Sequence, residues 1–303
     1  MNNFKEYLNY FWLRPENAIH CALRSKTLQH IKFKSPSIDI SCGDGMYMFY
    51  HFGGKTNPSF DAFVSTNAKD FHHNKFIDIY NTTTNYNVHI TRKPNQQIDY
   101  GTDWKQSLLD KASKLGIYKN LVLWDNNYLP MPLKKNFFAT AYNNSLHWIA
   151  DPEPLIQETF RLLKPGGTAI FQIITPYQLE TLDDAELILT KEAVKILNRK
   201  RRETMLGRRT HKQWCKMFTD QGFEIEEVKN VFPDKLLIDI WNTGTRPLSH
   251  LLIQMTDNLS KKDRQSIKKE WVDICYKLLN PLLNMKETYT LNNSPQLLYV
   301  LRK

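Results

Sequence analysis

Only four cysteines occur in 303 residues, and Cys21, Cys42, Cys215 and Cys275 lie far apart. No two stand at metal-ligand spacing, which excludes the common zinc motifs and suits reduced thiols in a cytoplasmic protein. Long apolar runs are missing as well. None approaches the ~18 residues that a membrane span needs, and the N-terminus lacks the basic-then-apolar plan of a signal peptide. His72 and His73 are adjacent imidazoles with no third ligand at helical spacing, so no metal site is expected. What is present is a hydrophobic content of 41% with 12% aromatics, enough for a core. The length allows one large α/β domain with additions, or two modest domains.

The net charge of +10 is unevenly placed. Residues 191–216 carry ten Lys/Arg (Lys191, Lys195, Arg199, Lys200, Arg201, Arg202, Arg208, Arg209, Lys212, Lys216) against two acids, Glu192 and Glu203. One reading is an anionic partner: an acidic or phosphorylated small molecule, an acidic carrier, or RNA. A solvated helix face is the commoner meaning of such a run. Aromatic residues do not interleave with it, apart from Trp214 at its end, so the stacking platform of a single-strand RNA reader is missing.

The motifs give more. Ile38-Asp39-Ile40-Ser41-Cys42-Gly43-Asp44-Gly45 reads as a short apolar strand ending in a glycine turn, with a helix to follow. Gly43 and Gly45 permit positive φ and a close backbone approach to a ligand, beside the free N–H groups of a helix start. Gly101-Thr102-Asp103-Trp104 is a strand end with an acid leading into a helix, whose apolar residues at 104, 108, 109, 112 and 115 have helical spacing. Leu121-Val122-Leu123-Trp124-Asp125 reads as a third strand, residues 137–142 as a fourth and 168–174 as a fifth. Residues 154–163 read as a helix closed by Lys164-Pro165-Gly166-Gly167.

In this order the pieces resemble the class I S-adenosylmethionine (SAM)-dependent methyltransferases, in the branch shared by many small-molecule methyltransferases. The resemblance covers residues 36–176, with an echo in Gly222-Phe223 before a sixth strand (224–228) and in a closing strand (296–303). It implies a Rossmann-like, doubly wound α/β sheet of seven strands, the last one antiparallel, with inserted and C-terminal additions. It implies SAM as cofactor and S-adenosylhomocysteine as product. Carried over residue by residue, it places Asp39, Ser41, Cys42, Gly43 and Gly45 at the methionine end of the cofactor. Asp103 falls on the ribose hydroxyls with Trp104 beside it, Asp125 and Asn126 on the adenine, and Asn143 after the fourth strand. Ser41 stands where the family has its first glycine, a place expected to need smallness more than positive φ. Cys42 reads as small filler.

A second departure is the 60-residue distance from Gly43 to Asp103, where a plain strand–helix–strand step needs about 20. The excess forms an insertion at about 51–97. Its segments 76–80 and 86–90 have strand character and point to an ordered β-rich excursion. The chain then divides into an N-terminal helical lid (1–35), the SAM-binding core (36–176, with the insertion), and a segment (177–303) holding a helical insertion, the last core strands and an excursion at 233–290. Tyr10, Phe11, Trp12 and Arg14 are candidate lid residues.

The methyl of SAM is already activated, so the protein mainly positions the nucleophile and excludes water. A base is needed only where the accepting atom carries a proton of high pKa. His147, after the fourth strand, is the candidate catalytic residue, and His51, His72 and His73 are weaker ones. Lining the pocket is the plainer role for His147. No Asn-Pro-Pro-Tyr-like signature follows the fourth strand, which speaks against methylation of nucleobase or protein amide nitrogens. Dinucleotide, P-loop and EF-hand readings fail at Met48, Phe49 and Tyr50 respectively. The expected activity is methyl transfer to O or N of a small molecule. An RNA-modifying methyltransferase or a non-catalytic SAM-fold subunit are the alternatives. The insertion, the helical segment 178–215 and the excursion are expected to roof a pocket with His147 at its floor.

Overall fold

The computed structural model describes residues 3–65 and 86–303. Its centre is a seven-stranded sheet in the order β5-β4-β1-β6-β7-β9-β8. The strands are β1 (Ser37–Ile40), β4 (Ile98–Asp103), β5 (Tyr118–Leu123), β6 (Phe138–Asn143), β7 (Leu163–Ile174), β8 (Glu224–Asn230) and β9 (Gln296–Arg302). β5, β4, β1, β6 and β7 pair in parallel, while β9 runs antiparallel to both β7 and β8. This is the doubly wound order and the antiparallel strand expected from the sequence.

Burial explains the strands. Every residue of β1 and β6 is buried, as parallel strands covered on both faces must be. Along β7 and β9 the side chains alternate between two cores. Ile170 and Leu298 face a cluster with Leu8, Ile19 and Phe49. Phe171, Leu297 and Tyr299 face one with Leu155, Trp214 and Phe218. The first layer comprises α1 (Phe4–Tyr10), α2 (Pro15–Leu28), α3 (Met46–His51) and α4 (Gln106–Ser113); the second comprises α5 (Glu153–Leu162) and α9 (His211–Asp220). A capping box between Thr210 and Gln213 sets the start of α9.

Two element boundaries differ from expectation. The third strand starts and ends earlier, leaving Trp124 and Asp125 beyond it, because β5 is the sheet edge and carries exposed Lys119 and Asn120. Lys164-Pro165-Gly166-Gly167 does not leave the sheet. It continues as the start of β7, with Gly166 at φ 71° and a register shift opposite Phe138 and Thr140.

The insertion is closed at its base by a two-stranded antiparallel clip of β2 (Lys55–Thr56) and β3 (Ile90–Arg92). Segment 76–80 and the pair His72 and His73 lie outside the described residues. α3 carries the chain from the glycine turn down to Phe52, which packs on Phe33 just before β1. The insertion is therefore rooted at the amino side of the sheet. Its described ends pack against α1, α3 and α12 (Lys261–Leu279): Phe60 stacks on Tyr10, and Arg264 Nε donates to Asp61 Oδ2 at 2.8 Å.

The carboxyl edge is covered from the other side. α6 (Glu180–Glu186), α7 (Lys191–Asn198), α8 (Arg201–Thr204), α10 (Lys235–Thr243) and α11 (Ser249–Asp257) follow β7 and β8. A third small core of Ile174, Leu179, Leu182, Met205 and Trp241 ties them down.

Candidate functional site

The strand ends of β1, β4 and β6 meet at the glycine turn. Ser41, Gly43 and Gly45 all have positive φ, at 63°, 60° and 75°. Ser41 thus does take the left-handed conformation that its position was expected not to need. The strain is held by side-chain bonds at its hydroxyl: Asn126 Nδ2 donates to Ser41 Oγ at 2.7 Å and Ser145 Oγ lies 3.0 Å from it. A methylene placed on Gly43 meets nothing within 4 Å, so the space above the turn is open. On Gly45 it would press on Tyr118 at 3.0 Å.

Asp103 ends β4 and is 6% exposed. Gly43 N donates to its Oδ2 and Lys105 N to its Oδ1, both at 3.0 Å. Burial raises its pKa against those backbone bonds. A carboxylate has about four acceptor sites, so two remain for hydroxyl donors. Asp39, at β1, is more strongly perturbed. Burial pushes its carboxyl up to about 7, with Asp103 adding to the rise, although Tyr118 Oη donates to Asp39 Oδ2 at 2.6 Å. Burial and the carboxylates of Asp39, Asp103 and Asp44 push the Cys42 thiol well up. At neutral pH it is therefore protonated, as a space-filling residue would be.

Beyond β6, Asn143 fixes the next loop. Its Nδ2 donates to Ile40 O and to Ser145 Oγ, both at 2.9 Å, and its Oδ1 accepts from Ser145 N and Leu146 N. That places His147 in a 3₁₀ turn (Leu146–Trp148). His147 is 3% exposed and its Nδ1 has no partner. Burial, with Arg24, His20 and Arg208 nearby, holds its pKa well below the usual imidazole range, so the ring is neutral. It is covered by segment 205–209, where Gly207 N donates to His147 O at 3.0 Å. Segment 205–209 thus packs directly on the His147 loop, one part of the roof expected there. The described ends of the insertion are not part of it, because α3 has already carried the chain away. His51 is also away from the turn, bonded to Ser25 Oγ at 2.9 Å and packed against Phe33.

Asp125 and Asn126 lie beside Ser41, where Asp125 Oδ1 accepts from Asn127 N at 2.9 Å. Asn126 Oδ1 is buried with no partner. Trp104 is 61% exposed beneath the Lys105 ammonium. Of the candidate lid residues, Tyr10 donates to Asp44 of the glycine turn, and Trp12 Nε1 donates to Asp61 Oδ1 at 3.0 Å.

One group went unforeseen. Arg24 on α2 lies under the turn with Tyr47, Tyr142 and Gln172. Its Nε reaches Gln172 Oε1 at 3.3 Å, while Tyr47 Oη and Tyr142 Oη donate to the same oxygen at 3.0 and 2.7 Å. Arg24 Nη2 is buried without a partner. The sequence holds a signal: His20, Arg24 and Thr27 share one helical face, and that face is turned inward. His20 bonds Gln296 Oε1 at 2.6 Å, and Thr27 Oγ1 accepts from Gln172 Nε2 at 2.9 Å.

The basic run does not form one open face. Arg201 is fully buried, Arg202 pairs with Asp183 and Glu186, and Lys216 pairs with Asp220. Arg208 and Arg209 donate to backbone carbonyls.

Residues 89–171 match a family model described as a methyltransferase domain. No curated protein matches the chain. Among solved structures, a SAM-dependent methyltransferase from Thermotoga maritima is similar at 13% identity, with 98% of each chain covered and a TM-score of 0.48. One from Mesorhizobium loti is similar at 15% identity, with 93% of this chain and 96% of that one covered and a TM-score of 0.45. The [4+2]-cyclase SpnF is similar at 16% identity, with 93% and 81% covered and a TM-score of 0.44. The domain match covers part of the chain, and the sheet order is the Rossmann-like one that the resemblance to class I SAM-dependent methyltransferases implies. The residues present fit SAM, the cofactor that the resemblance implies. The turn has open space above Gly43, Asp103 has spare acceptor sites, and two buried polar atoms, Arg24 Nη2 and Asn126 Oδ1, lack partners beside it. Among the described residues no helix is long and apolar enough to cross a membrane, and no cluster could hold a metal ion.

Proposed function

We propose that the protein transfers a methyl group to an oxygen or nitrogen of a small molecule. In this reading Ser41, Cys42, Gly43, Gly45 and Asn143 line the methionine end of the cofactor beside Asp39, with the free Nη2 of Arg24 toward its carboxylate. Asp103 takes the ribose hydroxyls, and Trp104, Asp125 and Asn126 flank the adenine. The cofactor supplies a methyl activated on a sulfonium, so the chain's part is to align the acceptor and keep water out. His147 meets the acceptor as a neutral, hydrogen-bonding ring. Its lowered basicity suits lining the pocket better than holding a proton at neutral pH.

The observation that carries the small-molecule reading is the roof. Segment 205–209 lies on the loop after β6, and Met205 and Trp241 close an apolar core above the strand ends. A covered site of this kind suits a ligand that enters it whole. An RNA-modifying enzyme would call for an open cationic face, and the cations of 199–209 are engaged with protein groups. The test is release of S-adenosylhomocysteine from SAM with small-molecule extracts and with total RNA. Turnover is expected with the small-molecule fraction. Methyl incorporation into RNA alone would replace this reading with the macromolecular one. A protein that binds SAM yet turns over neither would be a non-catalytic subunit.

A further inference from the structure

A cavity of about 510 Å³ lies between the described ends of the insertion and the helices α11 and α12, and no residue of the glycine turn lines it. Its size is that of pockets that take a whole small molecule, roughly 300–1,000 Å³. Three stretches of chain wall it, at 59–64, 87–89 and 256–268. Two stacked rings stand between it and the turn: Phe60 lines the cavity and stacks on Tyr10 at 6.2 Å, and Tyr10 donates to Asp44.

The floor is charged and buried. Arg264 is 6% exposed and Lys268 is 2% exposed, one helical turn apart on the inward face of α12. Arg264 Nε donates to Asp61 Oδ2 at 2.8 Å and Nη1 to Asp257 Oδ1 at 3.0 Å. Lys268 Nζ donates to Pro58 O at 2.9 Å and to Phe60 O. Arg264 Nη2 is buried without a partner, a costly state for a donor on a charged group. Phe60, Val64 and Leu259 make the apolar part of the wall. The mouth is polar and unengaged. Asn87, His89, Lys261 and Gln265 are exposed there, and among the described residues their side chains have no hydrogen-bond or ion-pair partner.

Charge selects the ligand. Lys261, Arg264 and Lys268 bring three positive charges to the wall, and Asp61 and Asp257 bring two negative ones, which leaves an excess of one positive charge. Lys261 is the wall cation that no described carboxylate or carbonyl engages. We propose that this cavity is a second small-molecule site, which takes an organic carboxylate with an apolar body. The carboxylate neutralises the wall at Lys261, with the amides of Asn87 and Gln265 as further donors. The apolar body covers Phe60, Val64 and Leu259. A phosphate monoester, with a charge near −2, would exceed that balance and face the carboxylates of Asp61 and Asp257. The inference does not depend on what the protein methylates, since the ligand is neither methyl donor nor acceptor.

The test titrates the full-length protein calorimetrically with sodium benzoate, with and without saturating S-adenosylhomocysteine. Benzamide serves as the neutral isostere, and inorganic phosphate and sodium chloride are the ionic controls. Benzoate is expected to saturate one site with equal affinity in both states and to raise the melting temperature, beyond all three controls. Lys261→Gln should weaken it about fivefold, the loss of a charge-assisted contact at a partly open wall. Gln265→Trp, which fills the mouth from an exposed position, should abolish it. No saturable binding by the wild type, equal or tighter binding of benzamide or phosphate, or wild-type affinity in both variants would each overturn the proposal. Displacement of benzoate by S-adenosylhomocysteine would also overturn it, by placing the benzoate in the cofactor site. The wild-type titrations decide even if a variant misfolds.

Discussion

Asp39→Asn tests a strained ionisable group beside the glycine turn. Burial moves the Asp39 carboxyl from an ordinary 3.8 to about 7 in the folded chain. At about 1.4 kcal/mol for each pH unit of displacement, the ionised form is disfavoured by about 4 kcal/mol in the fold. Between pH 4 and 7 the native protein holds a proton that the unfolded chain has released. This group therefore costs stability progressively as pH rises through that window, and the cost levels off above it. Asparagine does not titrate. It keeps an acceptor for the Tyr118 hydroxyl, and its added amide protons impose a cost that does not vary with pH. The difference in unfolding free energy, Asp39→Asn variant minus wild type, should rise by about 2–3 kcal/mol between pH 5 and pH 8. Urea unfolding of both proteins without cofactor, at four pH values across that range, measures it. A difference flat with pH would show that Asp39 is ionised and well solvated throughout, and the electrostatic account of the turn would fall.

Three further outcomes are expected. Asp103→Ala should weaken SAM by about 1–3 kcal/mol in isothermal titration, the range for lost charge-assisted hydrogen bonds; unchanged affinity would remove Asp103 from the cofactor. Gly43→Val should abolish SAM binding, because valine must adopt the φ of 60° found there and would fill the open space over the turn; a folded variant that still binds SAM would move the pocket elsewhere. Arg264→Ala should lower the unfolding free energy by about 3–5 kcal/mol, since it strands Asp61 in a buried ion pair whose side chains are 7% and 11% exposed. A loss below about 1 kcal/mol would show that this pair behaves as a surface bridge.

The sheet was legible in the sequence because its strands alternate or run apolar within clear turn signals, as at 137–142 and 168–174. The edge strand was misjudged by a few residues, since Lys119 and Asn120 look like loop and are strand only through pairing with β4. The meeting of the glycine turn with Asp103 was legible through the spacing between glycines and acids. Arg24 and Gln172 were not, because each is a lone polar residue in an otherwise apolar segment. Only the meeting of α2 with β7 gives them a shared purpose. The same holds for the basic run: in the sequence 199–209 is one cationic stretch, but in the fold it separates into members such as Arg201, buried, and Arg202, paired with Asp183 and Glu186. The position of the insertion depended on the length of α3, which a motif does not state.

The clip of β2 and β3 has a consequence for how this chain can change. It joins Lys55 to Arg92 and Thr56 to Ile90 across the base of the insertion, so residues gained or lost between them shift neither the glycine turn nor β4. Doubling the length of such a closed excursion costs only about 0.6 kcal/mol in loop entropy. The segment behaves as a cassette. Away from its packed ends at Phe60, Asp61 and Tyr86, its length can drift, or be changed by design, while the glycine turn and β4 stay in register.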